Sequence, residues 1–232
     1  MEKQNTINLK VHLGNDASGE KVYLDFEKVP HLLAFGGVGA GKTEALCRII
    51  DELARHNAPK AVRFLLIDPK MVDFEDFLDD HHLFAPIARK PYDCKRALET
   101  AHDLMTARLA GKAPKDTHLF VVVDELADLL LGDASGENLE IITAIVQGEA
   151  GANVHFLAAT QVVGGSVVKK IPYDLFSSSL IGRMYDKKDS KRYLGDDEAT
   201  QLPGCSGEMI LLTSTERTRL HVLRAEIWKK QN

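Results

Sequence analysis

The sequence predicts an α/β fold built on a mainly parallel, doubly wound sheet, and three observations carry that prediction. Short apolar runs of strand character alternate with segments whose apolar residues fall at helical spacing, the pattern of strands joined by crossover helices. One run, Leu119 to Val123, is apolar at every position, as a parallel strand buried on both faces requires. A glycine-rich loop, Gly36-Gly37-Val38-Gly39-Ala40-Gly41-Lys42-Thr43, stands between a strand-like run and a helical one.

The elements follow in order. Residues 6–25 alternate around a Gly14-to-Gly19 turn and read as an N-terminal β-hairpin, Ile7 to Leu13 and Lys21 to Leu24. Pro30 separates it from a strand, His31 to Phe35, that feeds the glycine-rich loop. Glu44 to Asn57 is a helix with Leu46, Ile49, Ile50 and Leu53 on one face; Asn57 and Pro59 end it. Val62 to Ile67 is a strand ending in Asp68-Pro69-Lys70. Asp93 to Ala110 is a helix stopped by Gly111, and the apolar run Leu119 to Val123 follows. Leu139 to Val146 reads as a helix, Val154 to Ala159 as a buried strand and Leu180 to Met184 as another. A short polar helix starts at Ser190, and a β-pair, Glu208 to Leu212 with Arg219 to Leu223, precedes a charged tail. One domain is expected, residues 1–29 forming the hairpin and 30–232 the core.

Composition narrows the class. Of 232 residues 44% are hydrophobic and 27% charged, ordinary for a soluble globular protein. No apolar run approaches the roughly 20 residues that span a bilayer, and the first residues lack the apolar stretch of a signal peptide. Cys47, Cys94 and Cys205 are too scattered for a metal site or a disulfide framework, which points to a reducing cytoplasm. A net charge of −5 argues against a generally basic surface for nucleic acid, although a local basic rim is compatible with it. Lys169-Lys170, Lys187-Lys188 and Lys191-Arg192 are the late basic clusters. The nine histidines form no metal-like or triad-like pattern.

The glycine-rich loop is a complete phosphate-binding loop. Its glycines let backbone N–H groups curl around phosphates, and the helix N-terminus adds positive partial charge. Gly36, Gly37, Val38, Gly39, Ala40, Gly41, Lys42, Thr43 and the following Glu44 are therefore the candidate nucleoside triphosphate residues, with Lys42 reaching the outer phosphates and Thr43 a ligand for Mg²⁺. The apolar strand ending in Asp124-Glu125 supplies the matching acids. Asp124 is placed to orient Mg²⁺, and Glu125 to polarise an attacking water, help worth roughly 10²–10⁴-fold. A glutamate there argues for hydrolysis rather than phosphoryl transfer to a second nucleotide. Gln161, closing Ala159-Thr160-Gln161, is a candidate to contact the γ-phosphate or the water. Asp68 and Lys70 read equally well as support for this site or as a plain turn.

The order of these motifs resembles the motor domain of the FtsK/SpoIIIE family across nearly the whole chain. The resemblance rests on Pro30 to Leu33, the P-loop, Ile67-Asp68-Pro69-Lys70, Val123-Asp124-Glu125-Leu126-Ala127-Asp128-Leu129 and Ala159-Thr160-Gln161. Gly14-Asn15-Asp16 with Gly19, Met105 with Arg108, Asp189-Ser190 and Gly207-Glu208-Met209 add to it. It implies a RecA-like P-loop NTPase core, a hexameric ring, Mg²⁺-dependent ATP hydrolysis and double-stranded DNA threaded through the pore. Arginines usual in the family fall here at Ala150 and at Ser178 or Ser179, with Arg183 within the adjacent strand, and Val162-Val163 replace the usual Arg-Pro after the Gln. Lys169 and Lys170, beyond a short Gly164-Gly165 loop, are the candidate DNA contacts. The family's membrane-spanning and winged-helix regions have no counterpart, so a stand-alone cytoplasmic motor of a plasmid, phage or integrative element is expected. The alternatives are a nucleotide-dependent assembly module of a replication, packaging or transfer complex, and a protein-export ATPase of the same family.

Overall fold

The computed structural model describes residues 7–161 and 171–226. Among them, nine strands form one sheet in the order β2-β1-β9-β8-β7-β3-β6-β5-β4. The strands are β1 (Lys10–Asp16), β2 (Lys21–Asp25), β3 (His31–Gly36), β4 (Val62–Ile67), β5 (His118–Val123), β6 (Val154–Gln161), β7 (Ser178–Ile181), β8 (Glu208–Thr213) and β9 (Arg217–Val222). The helices are α1 (Lys42–His56), α2 (Pro91–Leu109), α3 (Leu126–Leu131), α4 (Glu137–Gln147) and α5 (Lys187–Leu194).

Two halves of the sheet differ in kind. From β7 through β3, β6 and β5 to β4 every pairing is parallel. From β7 outward through β8, β9, β1 and β2 every pairing is antiparallel. The parallel strands are buried on both faces, and their alternation divides the core. On β3, Leu32 and Ala34 face the layer formed with Leu46, Ile49 and Leu53 of α1. Leu33 and Phe35 face the opposite layer, with Leu98 of α2, Leu126 of α3 and Ile142 of α4. Helices on both faces of one parallel sheet make the doubly wound arrangement, and they bring the carboxyl ends of β3, β5 and β6 to a common edge.

Several boundaries differ from the sequence reading. β1 does not turn at Gly14 but runs on to Asp16, because Gly14, Asn15 and Asp16 pair with Val222, His221 and Leu220 of β9. A Cβ on Gly14 would lie 2.0 Å from the His221 carbonyl oxygen, so only glycine fits there. The turn comes after Asp16, whose Oδ1 accepts from the backbone N–H of Ser18 and Glu20 and from the Ser18 hydroxyl. β7 starts earlier than expected, at Ser178, and stops at Ile181. Arg183 therefore lies beyond the strand rather than within it. Ser178 Oγ donates to the His31 carbonyl at 2.9 Å and staples β7 to the neighbouring strand. α5 begins at Lys187, not Ser190, because Asp186 caps it by accepting from the Lys188 N–H at 2.6 Å. Strand β6 continues through Gln161. Lys169, Lys170 and the Gly164-Gly165 loop lie outside the described residues.

At the opposite edge, the amino ends of β3, β5 and β6 carry a histidine cluster. His155 Nδ1 lies 3.2 Å from the Pro30 carbonyl, so this nitrogen carries the proton and Nε2 accepts from His118 Nδ1 at 2.9 Å. His31 Nδ1 accepts the Phe156 N–H at 3.0 Å. Burial lowers His31 and His118 to about 4 and holds His155 well below the ordinary imidazole value, so this seam is neutral.

Candidate nucleotide site

The phosphate-binding loop leaves β3 at its carboxyl end and enters α1. Gly39 and Gly41 take left-handed φ values of 71° and 88°, which turn the backbone so that α1 begins at Lys42. Val38 is the exposed tip. Gly37 N–H donates to the Arg183 carbonyl at 2.8 Å, tying the loop to the segment after β7. Glu44, in the first turn of α1, accepts the Ala225 N–H at 3.1 Å.

Lys42 is buried, and its ammonium donates to the carbonyl oxygens of Gly36 at 3.0 Å and Gly37 at 2.8 Å. Burial lowers its pKa, while the carboxylates of Glu125 and Asp124 pull it back up. The amine thus sits over the loop, between the phosphate cradle and the acids of β5.

β5 is apolar from Leu119 to its end, and the chain then presents Asp124 and Glu125, both buried. Thr43 Oγ1 donates to Asp124 Oδ1 at 2.7 Å. Burial pushes the Asp124 carboxyl up to about 7; the Asp73 carboxyl adds to this, and the Thr43 hydroxyl opposes it. A hydroxyl and one carboxylate at hydrogen-bond distance are the oxygen set that suits Mg²⁺, which keeps several waters and takes its remaining ligands from substrate phosphates. A cation there would return Asp124 to its charged form. Among the described residues no group of three or more His, Cys, Asp or Glu side chains converges as a metal cage.

Glu125 is held by three donors. Its Oε1 accepts from the Thr160 hydroxyl at 3.0 Å and the Gln161 N–H at 3.1 Å, and its Oε2 from the Lys70 ammonium at 3.3 Å. β6 lies between β3 and β5 in the sheet, which is why its end reaches both the loop and the acids. Of the residues expected from sequence, Lys42, Thr43, Asp124, Glu125, Thr160 and Gln161 meet at this edge. Gln161 touches Glu125 through its backbone N–H. Lys70, left open between support and plain turn, is an ion-pair partner of Glu125. Asp68 caps the loop after Lys70, its Oδ2 accepting from the Asp73 N–H at 3.1 Å.

Residues 2–111 match the FtsK/SpoIIIE family. The chain is 32% identical over 220 residues to the DNA translocase FtsK of Leptospira interrogans serovar copenhageni, covering 84% of this chain and 23% of that protein. It is 31% identical over 244 residues to the DNA translocase FtsK of Listeria monocytogenes serovar 1/2a, covering 91% of this chain and 31% of that one. It therefore spans only about a quarter to a third of the length of these relatives. Among solved structures, the cytoplasmic domain of the Thermomonospora curvata type VII secretion ATPase EccC superposes with a TM-score of 0.78 at 24% identity, covering 96% of this chain and 29% of that one. The pCW3 conjugation coupling protein TcpA, in a monomer form with ATPγS, gives 0.71 at 17% identity, covering 97% of this chain and 69% of that one. These two structures share the fold of this chain.

Proposed function

We propose that this chain, which matches the FtsK/SpoIIIE family over residues 2–111 and is similar to DNA translocase FtsK proteins, is an ATP-hydrolysing translocase of double-stranded DNA that works as a hexameric ring. The observation that carries the chemistry is the meeting of Lys42, Thr43, Asp124 and Glu125 at one sheet edge, with Thr43 Oγ1 2.7 Å from Asp124. In this reading the backbone N–H groups from Gly37 to Thr43 hold the phosphates. Lys42 exchanges its carbonyl partners for the outer phosphate oxygens. Thr43 and Asp124 hold Mg²⁺, which when bound neutralises charge on the β- and γ-phosphates. Glu125 accepts the proton of the attacking water as the water oxygen bonds to the γ-phosphorus and the bond to ADP breaks. Gln161 links this event to the segment beyond β6, where Lys169 and Lys170 are the candidate DNA contacts.

DNA binding in this reading is electrostatic and indifferent to sequence, because a motor must release every sequence it passes. Binding of unrelated duplexes in the presence of ATP, measured over a salt series, tests it. Similar affinities that fall steeply with salt are expected. Absence of duplex binding at low salt would remove the translocase reading and favour an assembly or protein-export role. A cytoplasmic setting and a plasmid, phage or integrative-element origin complete the proposal. Among the described residues no helix is long and apolar enough to cross a membrane.

A further inference from the structure

The P-loop has two flanks. On one, β6 and β5 bring the acids and Gln161. On the other stands β7, and the chain leaving it crosses the loop. There Gly182 N–H donates to the Phe35 carbonyl and Gly37 N–H to the Arg183 carbonyl, both at 2.8 Å. Two residues further on, Tyr185 lies with one ring edge on the loop. A Cβ placed on Gly37 would come 2.3 Å from Tyr185 Cε2, and the phenol oxygen is 3.4 Å from the Val38 carbonyl. The Arg183 guanidinium sits 5.8 Å from the ring centroid, within cation–π range. Even so, Tyr185 is 73% exposed. Packing does not account for this ring: it rests on the phosphate loop by an edge and leaves most of its surface to water.

We propose that Tyr185 is the platform on which the base of the bound nucleotide stacks. The inference rests on the nucleotide-binding reading of the P-loop and deepens it. Lys42 and the acids define where the outer phosphates lie. The nucleoside end of the same molecule then extends toward the opposite flank, where Tyr185 stands, backed by Arg183. Stacking on an aromatic ring is indifferent to base identity, because every base has a π-face. The platform therefore distinguishes a nucleotide from a bare phosphate chain rather than one base from another. It also accounts for glycine at position 37, since any side chain would displace the ring.

The test compares ADP with inorganic pyrophosphate, which keeps the phosphates and lacks the base, by calorimetric titration in Mg²⁺. The parent should bind ADP more tightly than pyrophosphate. In Tyr185→Ala, ADP affinity should fall about tenfold, within the range for loss of one base–aromatic stack, while pyrophosphate affinity stays unchanged. Tyr185→Phe should bind both as the parent does. Equal losses for ADP and pyrophosphate would show that Tyr185 only shapes the loop, and unchanged ADP affinity would show that the base lies elsewhere; either result overturns the proposal. A parent that binds neither compound would overturn the nucleotide-binding reading and this inference with it.

Discussion

Glu125→Gln separates chemistry from binding, and the structure gives the size of both effects. The carboxylate accepts from the Thr160 hydroxyl and the Gln161 N–H through one oxygen and from Lys70 through the other. An amide has one accepting oxygen. Directed at Thr160 and Gln161, it turns its NH₂ group on the Lys70 ammonium; reversed, it turns that group on the Gln161 N–H. In either orientation a buried donor faces a donor, a loss of about 1–3 kcal/mol. For a chain of this size that lowers the melting temperature by about 2–4 °C per kcal/mol. The P-loop, Lys42 and Thr43 are untouched, so ATP affinity should stay within a few-fold of the parent. Hydrolysis should fall at least roughly a hundredfold, the lower range for a lost general base. Calorimetric titration with ATP, phosphate-release kinetics and thermal denaturation on the same preparation provide the assay. Near-parental turnover would refute the assignment and leave Glu125 a buried anchor for β6 and Lys70.

Three further outcomes are expected. Gly14→Ala should destabilise the protein by about 1–3 kcal/mol in denaturant titration, because its Cβ would meet the His221 carbonyl of β9; an unchanged midpoint would mean that the β1–β9 pairing is absent. Folding stability should drop on acidification between pH 6.5 and 4, since the unfolded chain takes up protons that neutral, buried His31 refuses; His31 alone accounts for roughly 2 kcal/mol at pH 5, His155 acts in the same direction, and a flat stability profile over this window would contradict the neutral seam. Replacing Lys169 and Lys170 together by Ala should weaken duplex binding and reduce its salt dependence while ATP affinity holds, and parental binding across a salt series would move the DNA contact elsewhere.

Much of the parallel half was legible because its physics is local. Val62 to Ile67, apolar except at Arg63, and Leu119 to Val123 show no competing helical period, and the glycine-rich loop marks its own place between strand and helix. Asp124 and Glu125 stood out because they end a buried strand in a chain that also carries a complete P-loop; taken alone, two such acids could equally cap the following helix. The antiparallel half was less so. β1 is lengthened by pairing with β9 from the far end of the chain, and nothing near Gly14 signals that partner. Ser178 and Ser179 look like loop residues, yet β7 is held by a hydroxyl bonded to His31, a contact that exists only once β3 is beside it. The start of α5 was within reach, since Asp186 is a good capping residue, but the polar Lys187-Lys188-Asp189 hid the helical period. Lys70 and Tyr185 depend on strand order: one reaches Glu125 because β4 and β5 are neighbours, the other reaches Gly37 because β7 lies next to β3.

In the proposed function, one edge of this sheet hydrolyses ATP in response to DNA. Phosphate release in Mg²⁺, with and without long linear duplex DNA, measured for the parent beside Lys42→Ala, tests it most directly. Release by the parent should rise on adding duplex, and Lys42→Ala should show none under either condition, because Lys42 is seated on the loop. Equal rates with and without duplex, or hydrolysis surviving the loss of Lys42, would contradict it.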